Sequence, residues 1–148
     1  MERQSFTADY VTLKSAYLEV KTFLEKESFD KVDNLSTKIE NDLGMAGDDN
    51  YELLEKFVKK YDLGHHDFDY SKHFLSEGEL FSPFTTLYYI LISPFWFIKI
   101  ISYGKINLLP PKGYWQRETL DLTFGDMVAW YLHKNFKLRS EINIKLST

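Results

Sequence analysis

The stretch from Asp42 to Leu63, DLGMAGDDNYELLEKFVKKYDL, combines a glycine turn, an acidic helix start and one amphipathic helix. Leu54, Phe57, Val58 and Tyr61 fall at i, i+3, i+4 and i+7, so they share a face from which Glu55, Lys56, Lys59 and Lys60 are absent. That face must be buried, and the rest of the chain must supply what buries it. Asp49 stands three residues before Glu52, a spacing that predicts a capping box, and Asp48 adds negative charge at the same positive helix end.

Other segments repeat the helical pattern. Leu13, Ala16, Tyr17, Val20, Phe23 and Leu24 recur at three- and four-residue steps and predict a helix over about 9–27. A short third helix is expected near DLGHHDFDYSKHF, with Phe68 and Phe74 inward and its polar residues exposed. In TLDLTFGDMVAWYLHK, Thr123 and Asp126 form a second capping box ahead of an apolar face of Met127, Val128, Tyr131 and Leu132. Residues 28–44 read as an ordered loop pinned to the core by Leu35, Ile39 and Leu43. The amino terminus is polar and lacks the apolar run of a signal peptide. Ile142, Ile144 and Leu146 alternate in the tail at 139–148, but a lone strand is marginal, so a frayed terminus is expected. These elements predict a mainly α chain in which residues 1–148 form one domain, a four-helix bundle with a large insertion at about 78–117.

That insertion contains FSPFTTLYYILISPFWFI, Phe81 to Ile98, without a charge. A membrane span needs about 20 apolar residues, and a single crossing would strand the closing helix on the wrong side of the bundle. Three readings stay open. The leading one is an enlarged core with an apolar pocket; the others are a dimer interface and a peripheral membrane contact with Trp96, Tyr103, Trp115 and Lys99 at the headgroup level. In each of them Phe84, Tyr88, Tyr89, Phe95, Trp96 and Phe97 are the candidate apolar contact.

Charge and chemistry narrow the function. The net charge is −4 and no basic stripe offsets it, which argues against nucleic acid. Between Glu27 and Glu52 eight acidic residues face two basic ones, whereas from Lys99 onward eight basic residues face four acidic ones. The absence of cysteine excludes disulfides and thiolate chemistry and fits a reducing cytoplasm. His65, His66, Asp67, Asp69 and His73 crowd together without a recognised ligand spacing, and Asp48-Asp49 lack the ligand ladder of a calcium loop, so no metal site is expected. No nucleophile–base constellation or phosphate-cradling glycine loop is present in the sequence, and the chain reads as a non-enzyme without cofactor.

The Asp-Leu-Gly turn, the acidic helix start and the Tyr61-Asp62 pair resemble the second helix of acyl carrier proteins. Counted without a gap from Asp42 to Asp62, that superfamily's Asp-Ser-Leu falls on Ala46, Gly47 and Asp48. Gly47 has no hydroxyl to carry phosphopantetheine, so the resemblance implies the bundle without its covalent chemistry. The Gly-Asp-Asp version and the Phe-, Asp- and Tyr-rich second half more closely resemble small uncharacterised enterobacterial proteins grouped with the carriers by fold. Partner docking on an acidic helix start is what the resemblance implies, and it puts Asp42, Asp48, Asp49 and Glu52 forward as partner-binding residues.

The expected function is therefore an acyl-carrier-like protein-binding module, with an unidentified protein partner and a possible homodimer through the insertion. Two alternatives stand beside it. One is an immunity-type protein whose acidic face neutralises a basic toxin; the other binds lipid or acyl chains non-covalently.

Overall fold

A computed structural model of the protein describes residues 4–75, 90–91, 93–94, 98–103, 105 and 118–147. The chain divides into two compact units, one built from Met1–Phe74 with Thr119–Thr148 and the other from Leu75–Glu118.

In the first unit a strand, β1 (Gln4–Ala8), leads into α1 (Tyr10–Ser28). Asp9 caps α1, accepting from the Thr12 N–H at 2.7 Å and from the Thr12 hydroxyl at 3.0 Å, and these bonds hold its carboxyl below the usual carboxylate range. Ala16, Val20, Phe23 and Leu24 are buried along the helix, as the periodicity predicts. Then come α2 (Asp48–Tyr61), the single turn α3 (Tyr70–His73), α4 (Phe124–His133), a 3₁₀ turn (Arg139–Glu141) and β2 (Ile142–Leu146).

The strands correct the expected fold class. β1 and β2 pair in parallel, with Gln4 opposite Ile142 and Ala8 opposite Leu146, so the chain is a mixed helix-and-strand fold and not an acyl-carrier-like four-helix bundle. The tail expected to fray is half of this sheet. Each strand is too weak alone to be read with assurance, and pairing across nearly the whole chain is what makes both. Ala8 and Ile142 are buried while Ser5, Thr7, Asn143 and Lys145 are exposed, the period-two pattern of a sheet with one covered face.

The core explains the position of α4. Trp130 is buried, its ring meets Phe57, Phe68 and Phe136 at centroid distances of 6.0, 5.2 and 5.0 Å, and its indole N–H donates to the Gly64 carbonyl at 2.9 Å. Burying such a ring is worth roughly 4–6 kcal/mol as an upper bound at about 25 cal/mol per Å². The loop before α2 is ordered because it zips against the entrance of α4. The N–H groups of Phe124 and Gly125 donate to the carbonyls of Thr37 and Leu35, and Ile39 N–H donates to Leu122. Ile39 and Leu43 are buried beneath it and Leu35 packs on the core.

Candidate functional site

The start of α2 is built differently from what its sequence suggests. The capping residue is Gly47, at φ +60° and ψ −126°, and no side chain caps the helix. This backbone conformation suits glycine and no other residue, so Asp48 becomes the first helical residue and Asp49 the second. The expected Asp49–Glu52 capping box is therefore absent: Asp49 lies inside the helix, and Glu52 instead meets Lys56 at 2.9 Å.

Around this open start lies an acidic, aromatic surface. Asp48 and Asp49 are exposed and form no ion pair among the described residues. Tyr51 is 61 % exposed and stands edge-to-face against Tyr70 at 5.9 Å, while the Tyr70 hydroxyl donates to the Gly47 carbonyl at 3.0 Å. The Asp121 carboxylate reaches across from before α4 to accept from the backbone N–H groups of Glu40 and Asn41 and from the Asn41 side chain. Burial, and then the Asp121 charge, push the Glu40 carboxyl up. Burial, and then the charges of Glu40 and Asp48, likewise push the Tyr70 phenol up. Glu40 and Asp48 thus share one electrostatic neighbourhood with Tyr70, and Asp121 acts on Glu40. Beneath it Asn50 is fully buried, and neither its amide nitrogen nor its oxygen has a hydrogen-bond partner among the described residues.

Of the four acidic residues named from the sequence, Asp48 and Asp49 are exposed without an ion pair among the described residues, and the other two are occupied. Asp42 accepts from the Lys38 N–H at 2.8 Å and so shapes its own turn. Glu52 joins Lys56, which also meets Glu27 of α1 at 3.1 Å, so it belongs to the α1–α2 seam. Glu40, Tyr51, Tyr70 and Asp121 were not legible as members of this surface. Asp121 is 80 residues from Asn41, and no local pattern connects them.

Phe84, Tyr88, Tyr89, Phe95, Trp96 and Phe97 lie outside the described residues. The described part of the second unit exposes apolar side chains: Ile90, Leu91, Ile100, Ile101 and Tyr103. No helix among the described residues is long and apolar enough to cross a membrane.

The histidine cluster separates. His65 and His66 are exposed and stack on each other at 5.5 Å. His73, expected to be exposed on the third helix, is only 3 % exposed: its ring stacks on Phe68 at 5.3 Å, and Nδ1 donates to the Leu120 carbonyl at 2.7 Å. The segment before α4 buries it, since Leu120 N–H also donates to the Lys72 carbonyl. Among the described residues no group of three or more histidine, aspartate or glutamate side chains is placed to hold a metal ion.

A family model described as "Protein of unknown function (DUF1493)" matches residues 9–100. No curated protein and no solved structure matches the chain. The match is not to acyl carrier proteins, which overturns the resemblance read from residues 42–62. The geometry agrees with that correction, because position 47, aligned with the carrier serine, has a backbone shape that a serine would be strained to adopt.

Proposed function

We propose that this chain, which belongs to the DUF1493 family, is a protein-binding module whose α2 start, centred on Asp48, Asp49 and Tyr51, receives a basic surface of a partner protein. The observation that carries the reading is the combination at one helix end of two exposed carboxylates, unpaired among the described residues, with an exposed, ring-supported tyrosine. Tyrosine is enriched at interfaces because it buries a large rigid ring and keeps a polar tip. Unpaired carboxylates around it steer a cationic partner and raise the association rate more than the affinity. The exposed isoleucines of the second unit support an additional apolar contact. The absence of cysteine is compatible with a cytoplasmic setting for this encounter.

The test is capture from a cell extract with wild-type protein and with Asp48→Lys/Asp49→Lys as parallel baits, followed by kinetics with the purified partner. The reading expects a basic partner retained by wild type and lost with the double variant. Its association rate should fall several-fold between about 50 and 200 mM salt, as screening shortens the reach of exposed charges. Equal capture by both baits, or an association rate indifferent to salt, would overturn it.

A further inference from the structure

A second surface lies where α1, α4 and β2 meet, around an apolar groove of about 410 Å³. Its walls include Leu13 and Tyr17 of α1, Val128 of α4, and Ile142 and Ile144 of β2, and among the described residues its one charged lining residue is Arg139, just before β2. Among the described residues β2 is paired on one edge only, by β1. Among the described residues no bond takes up the backbone groups along its other edge.

The backbone of Arg139 is anchored to α4 and its exposed side chain rests near the same helix. Its backbone N–H donates to Asp126 at 2.8 Å, and its side chain lies across Gly125, where an added Cβ would come within 2.8 Å of both the Arg139 Cδ and the Leu35 carbonyl oxygen. Asp126 is engaged by Thr123 in the capping box and forms no ion pair with the Arg139 guanidinium, which has no carboxylate partner among the described residues. A guanidinium that lines an apolar groove and has no carboxylate partner among the described residues is complementary to a carboxylate with an apolar tail.

We propose that this groove binds the carboxyl terminus of another polypeptide, added as an extended strand to the free edge of β2 with its terminal carboxylate on Arg139. The open strand edge favours a peptide over a free aliphatic acid, because only a backbone can use donors and acceptors repeated along a strand. Arg139 precedes β2, so a carboxylate held there runs the peptide antiparallel to β2, the pairing that is slightly more stable per residue. Alternate side chains of such a strand fall on one face, so the last and third-from-last residues would enter the groove and should be apolar. This site shares no residue with the acidic start of α2 and does not depend on the role proposed for it.

The probe is an array of heptapeptides with free carboxyl termini, varied at the last three positions, exposed to the full-length protein. Peptides that bind are then re-measured in solution as the acid and as the carboxyl-terminal amide. We expect selection for apolar residues at the last and third-from-last positions, and about tenfold weaker binding by the amide and by Arg139→Gln, the effect of losing a charge-assisted pair. The acid–amide comparison uses wild-type protein and needs no variant to fold. Acid and amide binding alike, unchanged binding by Arg139→Gln, or no peptide binding at all would overturn the proposal. So would binding of octanoate with no peptide binding, which would make the groove a small-molecule site.

Discussion

Two long helices of this molecule begin in opposite ways. At the start of α4, Thr123 and Asp126 cap each other, the preceding backbone is zipped to residues 35–39, and Asp126 also receives the Arg139 N–H. At the start of α2 a glycine turns the chain, two carboxylates stand in solvent and, among the described residues, no side chain caps the helix and a buried asparagine has no partner. The contrast separates a helix end that serves the fold from one the fold has not used. Folding favours satisfying each orphan N–H, so a helix start left open marks a place where stability has been given up.

The largest expected effect falls on the closed end. Asp126→Ala removes the reciprocal cap of α4 together with the acceptor for Arg139, and should lower stability by about 2 kcal/mol in denaturant titration. A loss below about 0.5 kcal/mol would show that the two helix starts do not differ in the way described. The open end should respond with the opposite sign. Asn50→Leu replaces an unpartnered buried amide with an apolar group of similar size and should raise stability by about 1 kcal/mol or more. A clear loss of stability would mean that the Asn50 amide is satisfied in solution, and the start of α2 would then no longer count as open.

The same contrast explains what could be read from the sequence. Thr123–Asp126 was legible because a capping box is a local pattern and here nothing distant competes with it. Asp49–Glu52 has the same spacing and failed, because the unusual backbone of Gly47 starts the helix two residues earlier than an Asp49 cap would, and Lys56 claims Glu52. The buried face of α1 was legible from periodicity alone. Three features were not, since each depends on partners far apart in the chain: the β1–β2 pair, the burial of His73 under Leu120, and the approach of Asp121 to Glu40. Half of the candidate surface belongs to that non-local class, which is why the sequence named Asp48 and Asp49 but not the residues that frame them.

Asp48 and Asp49 should distinguish folding from binding. Both sit at the positive end of α2, where a carboxylate contributes about 0.3–1 kcal/mol, so Asp48→Asn/Asp49→Asn should cost no more than about 1–2 kcal/mol. If the start of α2 is an interaction surface, the same substitutions weaken partner binding well beyond that cost to folding. A stability loss with unchanged binding would reduce the two residues to helix stabilisers and make the two helix starts alike in kind.

The smallest effect is the most specific, because its sign depends on pH. Burial and the neighbouring Asp121 raise the Glu40 carboxyl above its ordinary value of 4.5, so the folded protein holds this proton more tightly than the unfolded chain does. Stability from this group is therefore greatest below the ordinary glutamate range and declines as pH rises through the raised folded value. Glu40→Gln keeps the backbone N–H that donates to Asp121 and removes only the charge. It should raise the melting temperature at pH 7 by about 1–2 °C and leave it unchanged near pH 3, where Glu40 is protonated in both states. A gain that persists at low pH would assign the effect to packing, and no gain at pH 7 would remove the Glu40–Asp121 repulsion from the description. A gain confined to neutral pH would mean that the folded chain tolerates like charges held together beside an uncapped helix, a cost that an approaching cation would relieve.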